Sequence, residues 1–429
     1  MPAPLTRLLC VGDIHLGRRP SRVPDLSDHG VNSGDLTPVA AWRRVVDIAI
    51  EQRVAAVVLA GDVVEADNQF FEAYGPLQAG VQRLVAAGIP VVAVAGNHDV
   101  QVLPRLADEI PGFKLLGRGG VWEQHVIAVG GVPIVRLLGW SFPQKVVTSS
   151  PLDTVPAPAD DLPTVGVLHC DLDVRDSRYA PVTTAALAAA PGDAWLLGHI
   201  HAPSAREGRA PRGYLGSLCS LDPGETGTHG AWLLDVNGVH DVAISRLYIS
   251  PLRWEPVDVD IADLGHPDDL EGAVAGAVQA VAARIADTVG ETRAVGCRVR
   301  LVGASSLHRA IVASLDRKDP TKLRALIGAC VYFVESVVDD ARQAIDLAVV
   351  AQGTDPPGLL ARMLREIEAN TEAGERLVRD AARALAVTAH LSPFAPLPDV
   401  ADMNAVARKH LLRQGLLALE GLMAQRVAP

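Results

Sequence analysis

Cysteine is scarce in this 429-residue chain, and its five copies, Cys10, Cys170, Cys219, Cys297 and Cys330, include no CxxC pair. Such spacing builds neither a zinc knuckle nor a disulfide framework, and a reducing, cytoplasmic setting is expected. Long apolar runs are also missing. No stretch approaches the roughly 18 residues of a membrane span, and the apolar part of "LTRLLCVGDIH" is too short for a secretory leader, so neither export nor a membrane anchor is expected. There is no excess of positive charge: 39 Lys and Arg stand against 50 Asp and Glu, a net charge of −11. That balance excludes a general electrostatic grip on nucleic acid or anionic membrane and confines any polyanion contact to local patches. The sequence contains no internal repeat, low-complexity tract or GxxxxGK[ST] loop, so the chain is not expected to hydrolyse ATP.

What is present is ample apolar content, 49% of residues, in a length sufficient for more than one domain. The first part alternates short Val/Leu/Ala runs ("LLCV", "AAVVLA", "PVVAVA") with helical patterns ("VAAWRRVVDIAI", "PLQAGVQRLVAA"), which predicts β-α-β-α-β with strands buried on both faces. The stretch "TSSPLDTVPAPADDLP" reads as a surface loop inside one domain, because strand patterns resume at "TVGVLH". From about Leu252, "LRWEPVDVDI" and "AVGCRVRLVG" predict strands flanking a long helix, a small α+β domain over 251–339. Residues 340–429 are almost entirely helical in pattern. There Leu412, Leu416, Leu419 and Met423 form a stripe at i, i+4, i+7 and i+11 that needs a partner surface, either this chain's own body or another protein's helices.

The chemistry gathers at strand ends. "LLCVGDIH" delivers Asp13 and His15, "VVLAGD" Asp62, "VAVAGNHD" Asn97, His98 and Asp99, "VGVLH" His169, and "WLLGHIH" His199 and His201. The carboxyl edge of an α/β sheet is where ligands collect. Side chains alternate in extended chain, so Asp13 with His15, and His199 with His201, each point two groups the same way. Carboxylates, imidazoles and one amide without thiolate suit Mn, Fe or Zn better than a structural thiolate site. Two ions about 3.5–4 Å apart sharing one carboxylate would use the whole set, and such a clamp suits in-line attack on a phosphoester. Taken singly, each residue has an ordinary explanation as a turn, a helix cap or a packed histidine. The ordered combination does not.

With these motifs the chain resembles the calcineurin-like metallophosphoesterases over roughly residues 5–250, through Gly12-Asp13-Ile14-His15, Gly61-Asp62, Gly96-Asn97-His98-Asp99, His169 and Gly198-His199-Ile200-His201. The resemblance implies that Asp13, His15, Asp62 and His201 hold one ion and that Asp62, Asn97, His169 and His199 hold the other. It further implies that His98 stabilises the scissile phosphate and protonates the leaving oxygen, with Asp99 as its orienter or as a structural residue. "GDIHLGRRPSR", "RYAPVT", "GYLGSLCSLDPGETGTHGAWLLDV" and "LRWEPVDVDI" are similar to the SbcD-type DNA repair exonucleases. The expected architecture is a four-layer α/β/β/α sandwich (1–250), a capping domain (251–339) and a helical C-terminal region (340–429) that docks an SbcC-like ATPase. A homodimer is expected from the same resemblance.

The expected activity is two-metal, Mn-preferring DNA phosphodiester hydrolysis, exonucleolytic or endonucleolytic. The alternatives are a phosphodiesterase or phosphatase for nucleotides and other small phosphoesters, and a regulatory subunit binding ATPase or DNA. Arg18, Arg19 and Arg22 after the first motif, and Arg175 and Arg178 after His169, are candidate DNA contacts, as are Arg206, Arg209 and Arg212 after His201. Tyr179 reads equally as a base-stacking platform or a packed loop aromatic. Glu65 stands three residues after Asp62, where the nuclease family commonly has His or Asp, which leaves the mode of cutting open. His229 is the one histidine outside the motifs expected near the site.

Overall fold

The computed structural model describes residues 6–66, 70–238, 240–389 and 403–427. The parts of the expected ranges at 1–5, 67–69, 239, 390–402 and 428–429 lie outside the described residues. The chain opens as β1 (Thr6–Val11), α1 (Pro38–Glu51), β2 (Ala56–Ala60), α2 (Phe70–Ala86), β3 (Val91–Val94), α3 (Val102–Glu109) and β4 (Phe113–Leu115). It continues through β5 (Glu123–Val129), β6 (Val132–Trp140), β7 (Thr164–His169), α4 (Thr184–Ala189), β8 (Ala194–Gly198), β9 (Gly208–Arg209), β10 (Arg212–Tyr214), β11 (Ala231–Gly238) and β12 (Asp241–Leu247).

Two sheets form, ordered β4-β3-β2-β1-β11-β12-β9 and β10-β8-β7-β6-β5. In the first, β1 to β4 are parallel neighbours and β11 runs antiparallel to β1; in the second, β6, β7, β8 and β10 are parallel. The period of two in a strand separates the cores. Leu9, Val57, Leu59 and Val91 face the layer of α1 to α3, whereas Leu8, Cys10, Val58 and Val92 face the second sheet and meet Val165, Val167 and Leu196. On the far side, Leu168, Trp195 and Leu197 pack with Leu187 of α4. The result is the four-layer α/β/β/α sandwich. The Pro- and Asp-rich stretch around 149–163 joins β6 to its parallel neighbour β7, which makes it a connection inside one sheet.

α1 starts at Pro38 because its missing N–H costs nothing there, and Thr37 Oγ1 accepts from the Ala40 N–H at 3.4 Å. Its Ala41, Trp42, Val45, Val46 and Ala49 then fall on one buried face.

Beyond these layers run β13 (Leu252–Asp260), α5 (Leu270–Ile285), β14 (Ala294–Val302), β15 (Ala304–Ser305), α6 (His308–Leu315), β16 (Arg324–Ile327), β17 (Cys330–Asp339) and β18 (Arg342–Gln343). β13, β14, β17 and β16 form a third sheet in that order. Its Trp254 and Phe333 rings meet edge to face at 5.5 Å, and both join the same hydrophobic cluster as Trp42 and Leu59.

The chain divides into two compact units. The first holds residues 1–259, 271–300 and 319–338, and the second holds 260–270, 301–318 and 339–429. Within the second unit lie α7 (Leu347–Val350), α8 (Pro356–Glu368), α9 (Glu372–Ala389) and α10 (Met403–Val427). The α10 stripe of Leu412, Leu416, Leu419 and Met423 packs against Ala361 and Leu364 of α8, so its partner surface is this chain's own helix.

Candidate metal centre

All seven candidate ligands converge at the carboxyl ends of β1, β2, β3, β7 and β8. Asp13, His15, Asp62 and His169 are at most 2% exposed, and Asn97 is 8% exposed. One ligand atom from each of Asp13, His15 and His201 lies within 4.8 Å of the others, as does one from each of Asp62, His169 and His199. Asp62 also groups in this way with His15 and His98. The backbone is strained to achieve this: Asp13, His15, Asp62 and His199 all have positive φ, at 31°, 55°, 47° and 107°. Two motif glycines are dictated by close approach. A Cβ on Gly61 would lie 2.5 Å from His169 Nδ1, and one on Gly96 would run into the Asp62 carboxylate.

The donor set is built for cations. His169 Nδ1 lies 3.1 Å from the Ala60 carbonyl, to which it donates. Nε2 is left facing Asn97 Oδ1 at 3.1 Å and Asp62 Oδ2 at 3.3 Å. On the other side, the Nε2 atoms of His15 and His201 approach to 2.9 Å. His201 Nδ1 is held by Glu225 Oε1 at 2.8 Å, and His15 Nδ1 has Glu65 Oε2 at 2.8 Å, without the alignment of a hydrogen bond. Ligand atoms about 2.1 Å from an ion and at right angles around it are about 3 Å apart. The observed spacings match, and the residues fit two divalent ions.

The electrostatics agree. Burial pushes the Asp13 carboxyl up, and the neighbouring Asp62 adds to it. Burial works against a charged His169, yet the Asp62 and Asp13 carboxylates outweigh it and lift this imidazole to about 9. His199 is depressed to about 4 by burial and by His169. The buried carboxylates draw positive charge into the pocket.

His98 is exposed beside the cluster, its ring edge-on to His15 at 5.4 Å between centroids. Its Nδ1 donates to the Glu65 carbonyl at 2.8 Å, and its N–H donates to Asp62 Oδ1 at 3.0 Å. Asp99 is fully buried, and its carboxylate accepts from the N–H groups of Gly96 (2.8 Å), Val63 (2.7 Å) and Val64 (3.3 Å). It ties the β2 and β3 loops together, while the His98 ring is held by the Glu65 main chain. Burial and the nearby Asp62 push Asp99 up to about 7.

Of the candidate DNA contacts, Arg18 pairs with Asp222 and Arg22 with Glu335 at 2.9 Å. Arg19, Arg175 and Arg178 are exposed. Arg212 is bound to the carbonyls of Leu187, Ala190 and Gly192, and Arg209 lies 3.5 Å from Asp241. Tyr179 is 36% exposed and leans on the His199 ring at 5.1 Å. His229 is buried, with Nδ1 on Ser217 Oγ at 2.8 Å, and burial depresses it to about 4. Sequence reasoning missed Asp171 and Glu225. Asp171 follows His169 by two residues, the spacing that paired the other ligands, and Glu225 lies in the quoted "GETGTHGA".

Residues 6–203 match the model of the calcineurin-like phosphoesterases, and the chain carries that metal-dependent hydrolase domain. Residues 254–342 match a second model, the middle domain of the metallophosphoesterase YhaO. The chain is 27% identical over 228 residues to the metallophosphoesterase YhaO of Bacillus subtilis (strain 168), covering 52% of this chain and 55% of that protein. It is 28% identical over 281 residues to the DNA double-strand break repair protein Mre11 of Aeropyrum pernix, covering 61% and 65%. The matched spans are thus less than two thirds of these relatives. A dimetal phosphatase from Danio rerio superposes at a TM-score of 0.34 and 12% identity, over 56% of this chain and 99% of that structure. Among the described residues no helix is long and apolar enough to cross a membrane.

Proposed function

We propose that the chain is a two-metal DNA phosphodiesterase. The observation that carries this reading is the convergence of lone pairs from His15, His201, His169, Asn97 and Asp62 at spacings that fit two cations. Asp13, His15, Asp62 and His201 would hold one ion, and Asp62, Asn97, His169 and His199 the other, with Asp62 shared. Bound there, two divalent ions neutralise the phosphoryl charge and make water nucleophilic at neutral pH. Mn suits the oxygen and imidazole donors, with Fe or Zn as the alternatives. His98 sits outside the ligand set. With Nδ1 committed to the Glu65 carbonyl, its Nε2 is the atom that delivers a proton to the departing 3′ oxygen.

DNA is favoured as substrate by the name of the Mre11 relatives and by exposed Arg19, Arg175 and Arg178 on loops that bear the ligands. The division into nuclease, cap and helical parts at 250 and 339, a cytoplasmic setting, a homodimer and an SbcC-like ATPase docked on the helical region complete the reading.

The test is degradation of end-labelled single- and double-stranded DNA by wild type and His98→Ala, with Mn, with Mg and with EDTA. Metal-dependent products lost in the variant support the assignment, and their size ladder tells end-directed from internal cutting. If wild type leaves every DNA intact and cleaves a small phosphodiester through His98, the substrate assignment falls.

A further inference from the structure

We propose that Asp171 and Glu225 are positioning residues, each fixing the imidazole that serves a different one of the two ions. The proposal rests on the two-ion reading above. His199 and His201 come from one tripeptide after β8, yet they present opposite ring nitrogens. Asp171 Oδ1 lies 3.1 Å from His199 Nε2, an ion-pair contact without the alignment of a hydrogen bond, and with Nε2 turned to Asp171 the nitrogen left for the group with Asp62 and His169 is Nδ1. Glu225 Oε1 lies 2.8 Å from His201 Nδ1, which leaves Nε2 to face His15. Two alternate residues on one strand end can serve two ions only if their rings are held in these two senses, and a carboxylate on the far nitrogen is the device that does so.

Both carboxylates are themselves fixed. Asp171 is 6% exposed; its Oδ2 accepts from Ser177 Oγ at 2.5 Å and its N–H donates to the Tyr179 carbonyl at 2.8 Å. Glu225 Oε2 accepts from the Leu221 N–H at 2.8 Å. Neither is a ligand in any of the three metal-competent groups. Each holds a different histidine. A carboxylate so placed locks the ring orientation and raises the basicity of the coordinating nitrogen; loss of such a partner costs about 10–100-fold in metal affinity.

The experiment is calorimetric titration of Mn into the full chain stripped of metal, with thermal melting of every variant beside it. Wild type binds two ions. Glu225→Ala weakens one ion by about 10–100-fold and spares the other, and Asp171→Ala does the same to the other ion. Glu225→Gln and Asp171→Asn keep side-chain volume and recover part of each loss, which covers the case in which an alanine variant fails to fold. In a His201→Gln background, Glu225→Ala has no further effect, whereas Asp171→Ala still weakens the remaining ion. The inference is overturned if the single variants bind both ions as wild type does, or if each weakens both ions alike. A wild type that binds fewer than two ions overturns instead the two-ion reading beneath it.

Discussion

The Nε2 atoms of His15 and His201 face each other across 2.9 Å, although the residues are 186 positions apart in the chain. Neither ring has another use for that nitrogen, so replacing one should remove an ion without unfolding the protein. His201→Gln is expected to retain one Mn per chain and Asp62→Asn, which alters the carboxylate proposed to be shared, to retain none. Metal analysis after gel filtration measures both, and equal retention by the two variants would contradict a shared Asp62.

Among the described residues, arginines with no ion pair should behave differently from paired ones. Arg18 and Arg22 already meet Asp222 and Glu335, so phosphate must compete for them; Arg175 and Arg178 are exposed. Arg175→Ala and Arg178→Ala should each lower the salt dependence of DNA binding by about one phosphate contact. Arg22→Ala should lower it less. Fluorescence anisotropy over a salt series reads the slopes, and identical slopes for all variants would remove these arginines from the DNA surface.

His229 gives a pH signature of stability. Burial depresses it to about 4, below the ordinary 6.5, so between these values the unfolded chain binds the proton more readily. Its contribution is complete above pH 6.5 and is lost as pH falls toward 4, by about 2 kcal/mol at pH 5. Urea unfolding at pH 7 and pH 5 should show a smaller drop for His229→Gln than for wild type. An equal drop would place the titration elsewhere.

Leu419 is fully buried between α10 and α8. Leu419→Ala should destabilise the helical unit by about 2–5 kcal/mol. Hydrogen exchange would then rise across α8 and α10 while hydrolysis of a small phosphodiester persists; protection unchanged from wild type would show that the stripe is not their cement.

The candidate ligands were legible because each is announced by an apolar run, ending in glycine at all but His169, and Gly61 and Gly96 are where a Cβ would strike His169 or Asp62. The partners of those ligands were not. Asp171 and Glu225 sit in loops, and nothing in a loop's spacing tells which distant imidazole it will meet. The arginine clusters were visible, but their pairing with Asp222 and Glu335 depends on chain returning from 204 and 313 residues away. The third sheet was legible as strands, whereas the burial of Trp254 and Phe333 in the core of α1 and β2 was not, because alternation reveals a buried face without revealing what covers it.

Glu65 holds the His98 ring with its main-chain carbonyl, and only its side chain reaches toward His15 and Arg18. Every amino acid carries that carbonyl. Position 65 can therefore change identity while the hold on the His98 ring survives, and substitutions there should retune the mouth of the site independently of that ring.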